Sequence, residues 1–106
     1  MITRADLPPG TQAVQAAHAA IEFAVTYPSL TANWHSASNT LVVLAVPDEL
    51  ALGWLDQDAR AAGLRAVRFC EPDLGGALTA VAIEPAGHRL LRRLPLAFTT
   101  GEEVRT

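Results

Sequence analysis

The chain has 106 residues, half of them hydrophobic, and a formal net charge of −3. That length suits one domain with a two- or three-layer core, the apolar fraction excludes disorder over most of it, and the acidic balance argues against a protein that coats nucleic acid nonspecifically. The single cysteine, Cys70, excludes an internal disulfide and a cysteine-built metal site, and suits a reducing cytoplasm.

Ile2 to Arg4 is a strand candidate, closed by the Asp6-Leu7-Pro8-Pro9-Gly10 loop. A helix is expected from about Thr11, its N-cap, to Thr26, because Ala13, Val14, Ala17, Ile21, Ala24 and Val25 recur at helical spacing and Pro28 follows. Thr31 to Asn39, polar with Trp34 and His35 embedded, reads as a loop or one loose turn that closes over the core, meets a second copy or stacks on a base. Thr40 to Val46 is a continuous β-branched and aliphatic run, the pattern of a strand covered on both faces. Its longest apolar part, Leu41 to Val46, is far below the roughly 18 residues of a membrane span. No charged, apolar, small-residue sequence opens the chain, so no signal peptide is expected.

Pro47-Asp48-Glu49 opens a second helix, with proline in the first turn, that should end near Gly63 in a left-handed cap. Leu64 to Cys70 is a third strand, with Cys70 an inert buried thiol. Glu71 to Gly76 is a turn, and Leu78 to Ile83 a fourth strand. Pro85 starts a third helix that Pro95 stops, and Gly101 to Thr106 is a polar tail, so the domain spans residues 1–98 with a tail at 99–106. The order β-α-β-α-β-β-α predicts a single-domain α/β sandwich with a mixed sheet of four strands. Strands two and three should be parallel through a right-handed crossover, and strands three and four an antiparallel hairpin.

Ligands of open α/β sheets gather beyond the carboxyl ends of parallel strands. Two loops leave such ends, Asp6 to Gly10 and Glu71 to Gly76, and they share an edge if strands one and three run the same way. The first feeds a helix N-terminus whose free N–H groups, around Thr11 to Ala13, suit an oxyanion or phosphate. The second offers Glu71 and Asp73. His18 and Glu22, four residues apart, can reach each other, so that the carboxylate orients the imidazole. A base, a carboxylate and N–H donors are the parts of a hydrolytic site. Each has a structural alternative: His18 at the core rim, Glu22 as a solubilising helix partner, Gln15 bonded to the Pro-Pro-Gly loop, and Glu71 and Asp73 as ordinary turn acids. All eight basic residues are arginines, and Arg89, Arg92 and Arg93 form a cluster that is either a solvated helix end or a grip for phosphates.

The segments "DLPPG", Gln15-Ala16-Ala17-His18-Ala19, "LVVLAVPDE" and "LTAVAIEP" together resemble the type II peptidyl-tRNA hydrolase family, over about Arg4 to Phe98. The resemblance implies a single α/β domain with a four-stranded mixed sheet, homodimer formation, a cytoplasmic location and hydrolysis, without metal or other cofactor, of the ester joining a peptide to the 3′ end of tRNA. On that pattern Gln15 and His18 match the family's Gln-x-x-His-Ala signature and Asp6 the acid before it. Glu71 falls about where the family carries an acid after its third strand, and Thr79 matches a threonine of the last strand. The implied catalytic set is His18, Glu22 and Glu71, with Asp6, Thr11, Gln15, Asp73, Thr79, Arg89, Arg92 and Arg93 holding substrate. The family's lysines at the first helix are replaced by Pro9 and Thr11, the stretch from Glu71 to Thr79 is shorter, and Glu84 stands where glycine is usual. Two other functions fit the same residues: a non-hydrolytic module that binds tRNA or a protein, and a dimeric small-ligand regulatory domain.

Overall fold

A computed structural model describes residues 1–99. Strand β1 (Ile2–Arg4) leads into helix α1 (Pro9–Thr26) and helix α2 (Pro28–Ala37). Strand β2 (Leu44–Val46), helix α3 (Glu49–Ala61) and strand β3 (Ala66–Glu71) follow, then strand β4 (Ala77–Ile83) and the short helix α4 (His88–Leu91). The four-stranded sheet has the order β2-β1-β4-β3. β1 pairs parallel with β2, whereas β4 runs antiparallel to both β1 and β3. Successive strand residues face opposite sides: Val81 packs with Leu52 and Ala59 of α3, and Ala80 and Ala82 pack with Ala19 of α1. The domain is therefore a three-layer α/β sandwich with a mixed sheet, as the sequence predicts.

The expected antiparallel hairpin of the last two strands is present. β2 and β3 do run the same way, but they are not neighbours: they are the two edges of the sheet, with β1 and β4 between them. The parallel pair is instead β1 and β2, linked through α1 and α2.

α1 exists where expected but buries a different face. Its buried residues are Gln12, Gln15, Ala16 and Ala19, whose i, i+3, i+4, i+7 spacing makes one stripe. Val14, Ile21 and Val25, read from the sequence as part of the apolar stripe, are 53%, 61% and 74% exposed. The sheet beneath α1 presents Ala80 and Ala82, so the helix approaches closely and admits alanine rather than branched side chains. Thr11 is not the cap either: the helix begins at Pro9, and the cap position, Pro8, offers no side-chain bond.

Thr31 to Asn39 lies mostly in a true helix, α2, rather than a loop. Pro28 is not only a stop for α1; it occupies the first turn of α2, where its fixed φ and missing N–H are harmless. Asn39 ends the segment in the left-handed region (φ 53°), and its N–H donates to Trp34 O. No residue of α2 is fully buried, which is why hydrophobic periodicity did not reveal it.

β2 is shorter than the apolar run that contains it: its successive residues Ala45 and Val46 are both buried, so the strand is covered on both faces as expected, whereas Leu41 and Val42 precede it and are 65% and 45% exposed. Its outer edge is bordered by the segment after α4, with Ala45 N–H donating to Pro95 O and Ala97 N–H to Val43 O. α3 is capped by Asp48, which accepts from Ala51 N–H at 2.9 Å, so Pro47 precedes the cap rather than lying in the first turn. The far end closes as expected on Gly63 (φ 80°), with Leu64 N–H on Ala59 O and Gly63 N–H on Arg60 O, the Schellman pair of bonds. The helix expected from Pro85 to Pro95 is a 3-10 turn, Pro85–Gly87, followed by four α residues. The predicted tail from Gly101 lies outside the described residues.

Candidate active site

β1 and β3 point the same way because each opposes β4. The loops after them therefore meet at one sheet edge, beside the N-terminal half of α1. Three residues join there. Thr79 donates to Gln15 Oε1 at 2.6 Å, and Gln15 Nε2 donates to Glu71 Oε1 at 3.1 Å. The hydroxyl donor fixes the amide's orientation, since the oxygen must face Thr79 and the NH2 group must face the carboxylate.

Thr79 reaches Gln15 because of a β-bulge. Phe69 pairs with Ala80, but the next residue, Cys70, pairs with Leu78, leaving Thr79 as the extra residue. A bulge lets one strand residue leave the alternation and re-aims its side chain. Thr79 is thereby turned to the α1 side and is wholly buried. Its oxygen also lies 3.2 Å from Phe69 O, but the shorter contact to Gln15 makes the better bond.

Glu71 ends β3. Besides Gln15, its other oxygen accepts the Asp73 N–H at 3.2 Å across the turn. These two bonds, the Gln15 one larger, hold its carboxyl below the usual carboxylate range, with a smaller contribution from the field of His18 opposing desolvation. The group is an ionised acceptor at neutral pH. Asp73 contributes its backbone; its side chain is in the exposed turn.

His18 sits one helical turn beyond Gln15 and is exposed. Its ring stacks on Phe69 with centroids 4.4 Å apart and planes 4° from parallel. Among the described residues it makes no hydrogen bond, to Glu22 or to any other group. Glu22 is exposed on the next turn of α1, so Glu71 rather than Glu22 is the carboxylate brought into the cluster.

The helix N-terminus differs in detail from the expectation. Pro9 has no N–H and Gln12 N–H already donates to Pro8 O at 2.9 Å, which leaves Gly10 and Thr11 as donors. Gln12 does what the sequence suggested for Gln15. It accepts from Thr3 Oγ1 at 3.0 Å and donates to Leu7 O at 2.7 Å, pinning the Pro-Pro loop. Its signal was available: Gln12 and Gln15 are three apart and share a face.

Asp6 stands at the same edge, but Arg4 grips both its oxygens, at 2.9 and 2.8 Å. That bond holds the Asp6 carboxyl below its ordinary value. Arg89, Arg92 and Arg93 are not brought to the cluster. They follow β4, whose carboxyl end is the opposite sheet edge. Trp34 donates its indole N–H to Thr40 O at 2.7 Å. Cys70 is exposed on edge strand β3, not buried, because the strand has no neighbour beyond it. Among the described residues no group of three or more His, Cys, Asp and Glu could hold a metal, and no helix is long and apolar enough to cross a membrane.

A polar relay ending in a carboxylate thus lies at the carboxyl ends of two strands of a three-layer α/β sandwich, the place where such sheets receive ligands. The family model described as Peptidyl-tRNA hydrolase PTH2 matches residues 1–96, and the chain belongs to that family. A search of curated proteins gives no match.

Proposed function

We infer that this protein is a hydrolase of peptidyl-tRNA, cleaving the ester between a peptidyl or acyl group and the tRNA 3′ end. Family membership supports the substrate class, and the observation that carries the site is the relay Thr79–Gln15–Glu71, ending on the strand whose Phe69 stacks against His18. His18 takes a proton from water as the oxygen attacks the ester carbonyl. The ionised Glu71 favours the imidazolium so formed. The carbonyl oxygen, now negative, is offset by the imidazolium beside it. The free N–H groups of Gly10 and Thr11 lie eight and seven residues back along α1, about 10–12 Å away at 1.5 Å per residue, and suit a more distant negative group of the substrate instead. As the intermediate collapses, the C–O bond to the ribose breaks, and His18 returns its proton to the departing 3′ oxygen. No metal or cofactor is required by this sequence of steps.

The test is single-turnover hydrolysis of peptidyl-tRNA by the wild-type protein and by His18→Ala. A loss of roughly 10²- to 10⁴-fold is expected for removing a general base, and equal, negligible turnover by both proteins sinks the reading. The absence of lysine favours a second reading, a binding module for tRNA or a protein. Salt-sensitive tRNA binding without turnover is its signature.

Homodimer formation and a cytoplasmic role in translation belong to the same inference. The exposed stripe Val14, Ile21 and Val25 on α1, with Leu41 and Val42 nearby in a groove of about 760 Å³, supports self-association. Light scattering after size exclusion distinguishes a mass near 11.2 kDa from its double.

A further inference from the structure

His18 is held by a flat contact rather than by hydrogen bonds. Phe69 belongs to the cluster on the α1 side of the sheet, with Ala19, Ala80 and Ala82. It therefore occupies the sheet-ward face of the imidazole at 4.4 Å. His18 is nevertheless exposed, so its exposure belongs to the opposite ring face and the ring edges. A two-ring stack with its outer face open is a seat for a third flat ring. The other aromatic pairs offer nothing similar: Phe23 and Tyr27 are 5.1 Å apart and tilted by 49°, and Trp34 and His35 are 6.2 Å apart and tilted by 44°.

We propose that the outer face of His18, backed by Phe69, is the platform on which the terminal adenine of tRNA stacks. The proposal rests on the peptidyl-tRNA reading. It assigns to the imidazole plane a role distinct from the proton transfer at its in-plane nitrogens. Stacking of a base on an aromatic face is tolerant of ring type, so phenylalanine should replace histidine as a platform but not as a base. The stack places the terminal nucleotide at the same end of the sheet as Glu71, which follows Phe69 by two residues on β3 and so lies on the same face. The ester on its ribose then lies within reach of the cluster.

The experiment uses an acceptor-stem RNA hairpin carrying 2-aminopurine as its 3′-terminal base, and the same hairpin ending in an abasic ribose. Binding is followed by 2-aminopurine fluorescence and by anisotropy, for the wild-type protein, His18→Phe and His18→Ala. Wild type should quench the fluorophore on binding. His18→Phe should bind within about twofold of wild type and still quench, whereas His18→Ala should bind roughly tenfold more weakly without quenching. On the abasic hairpin the difference between wild type and His18→Ala should vanish. The platform is overturned if His18→Ala matches wild type in affinity and quenching, if its deficit persists undiminished on the abasic hairpin, or if wild type binds neither RNA. Should the alanine variant fail to fold, equal affinity of wild type for the two hairpins overturns it as well.

Turnover separates this proposal from the reading beneath it. His18→Phe should lose kcat on peptidyl-tRNA while KM is kept. Hydrolysis by wild type that ignores the terminal base removes the platform alone. The full binding pattern without any hydrolysis removes the hydrolase and leaves the platform.

Discussion

Thr79→Val tests the relay most directly, because it keeps the side-chain shape and deletes only the donor. Gln15 is 3% exposed, so its Oε1, 2.6 Å from the threonine hydroxyl, would be left buried with no partner. An orphaned buried acceptor costs about 1–3 kcal/mol. For a domain of this size 1 kcal/mol is roughly 4–8 °C in Tm, so a fall of at least about 4 °C is expected. Thr79→Ser keeps the hydroxyl and should fall by less. Removing both partners, in Thr79→Val with Gln15→Leu, should recover much of the loss, because two apolar groups of similar shape leave nothing unsatisfied. Urea unfolding followed by circular dichroism measures wild type, these three variants and Gln15→Leu alone. A Thr79→Val change under about 0.5 kcal/mol, or purely additive single mutants, would show that the short contact carries no energy and that the bulge serves another purpose.

The Glu71 carboxyl is lowered mainly by Gln15, so it should titrate in NMR below the usual carboxylate range, and Gln15→Ala should move it upward. The sign follows from linkage: a depressed carboxyl contributes stability that is present above its unfolded value and lost as pH falls through its folded one. Wild type should accordingly lose more stability than Gln15→Ala on acidification below about pH 4; parallel pH profiles would refute it. Gly87 is buried, and a Cβ there would lie 2.7 Å from Ile83 Cγ2 and 3.2 Å from Leu64 Cδ1. Since a β-branched neighbour has little freedom to move, Gly87→Ala should destabilise by about 1–3 kcal/mol, and an unchanged Tm would contradict the packing. If Arg89, Arg92 and Arg93 each meet a tRNA phosphate, replacing all three by alanine should lower the salt slope of tRNA binding by about three. An unchanged slope assigns them to the solvated helix end.

The parts of the fold that were legible in the sequence are those with local chemical signals. Gly63 announced a left-handed helix end, Asp48 and Glu49 announced a helix start, and the apolar run from Leu78 to Ile83 announced a strand. What escaped notice depends on partners distant in sequence. Nothing in α1 itself says that Ala16 and Ala19 rather than Val14 and Ile21 meet the sheet; that is decided by the small Ala80 and Ala82, more than 60 positions away. The edge position of β2 follows from where β4 inserts, which no local pattern encodes. The site divides the same way. Gln15, His18, Glu71 and Thr79 were each visible as residues, but the bulge that joins Thr79 to Gln15 has no sequence signature, and the Arg4 grip that occupies Asp6 was not anticipated. Glu22 looked like the partner of His18 because i,i+4 spacing permits contact; permission is not contact, and among the described residues none is made.

The charge arrangement constrains how the proposed reaction can run. No lysine exists in the chain, and at this sheet edge Arg4 is committed to Asp6 at 2.8 and 2.9 Å. Glu71 is ionised, which by itself opposes a negative tetrahedral intermediate nearby. A free hydroxide attacking in that field would add a second negative charge with no cation beside it, since the free N–H groups at the start of α1 lie about 10–12 Å from His18. Proton transfer to His18 changes the balance. The imidazolium it creates lies beside the Glu71 carboxylate, so the step separates charge within the site rather than adding to it, and the same carboxylate that would repel the intermediate stabilises the base that makes it. The relay from Thr79 through Gln15 then has a clear electrostatic consequence: by fixing the orientation of the Glu71 carboxylate, it keeps the imidazolium favourable at the moment the oxyanion forms.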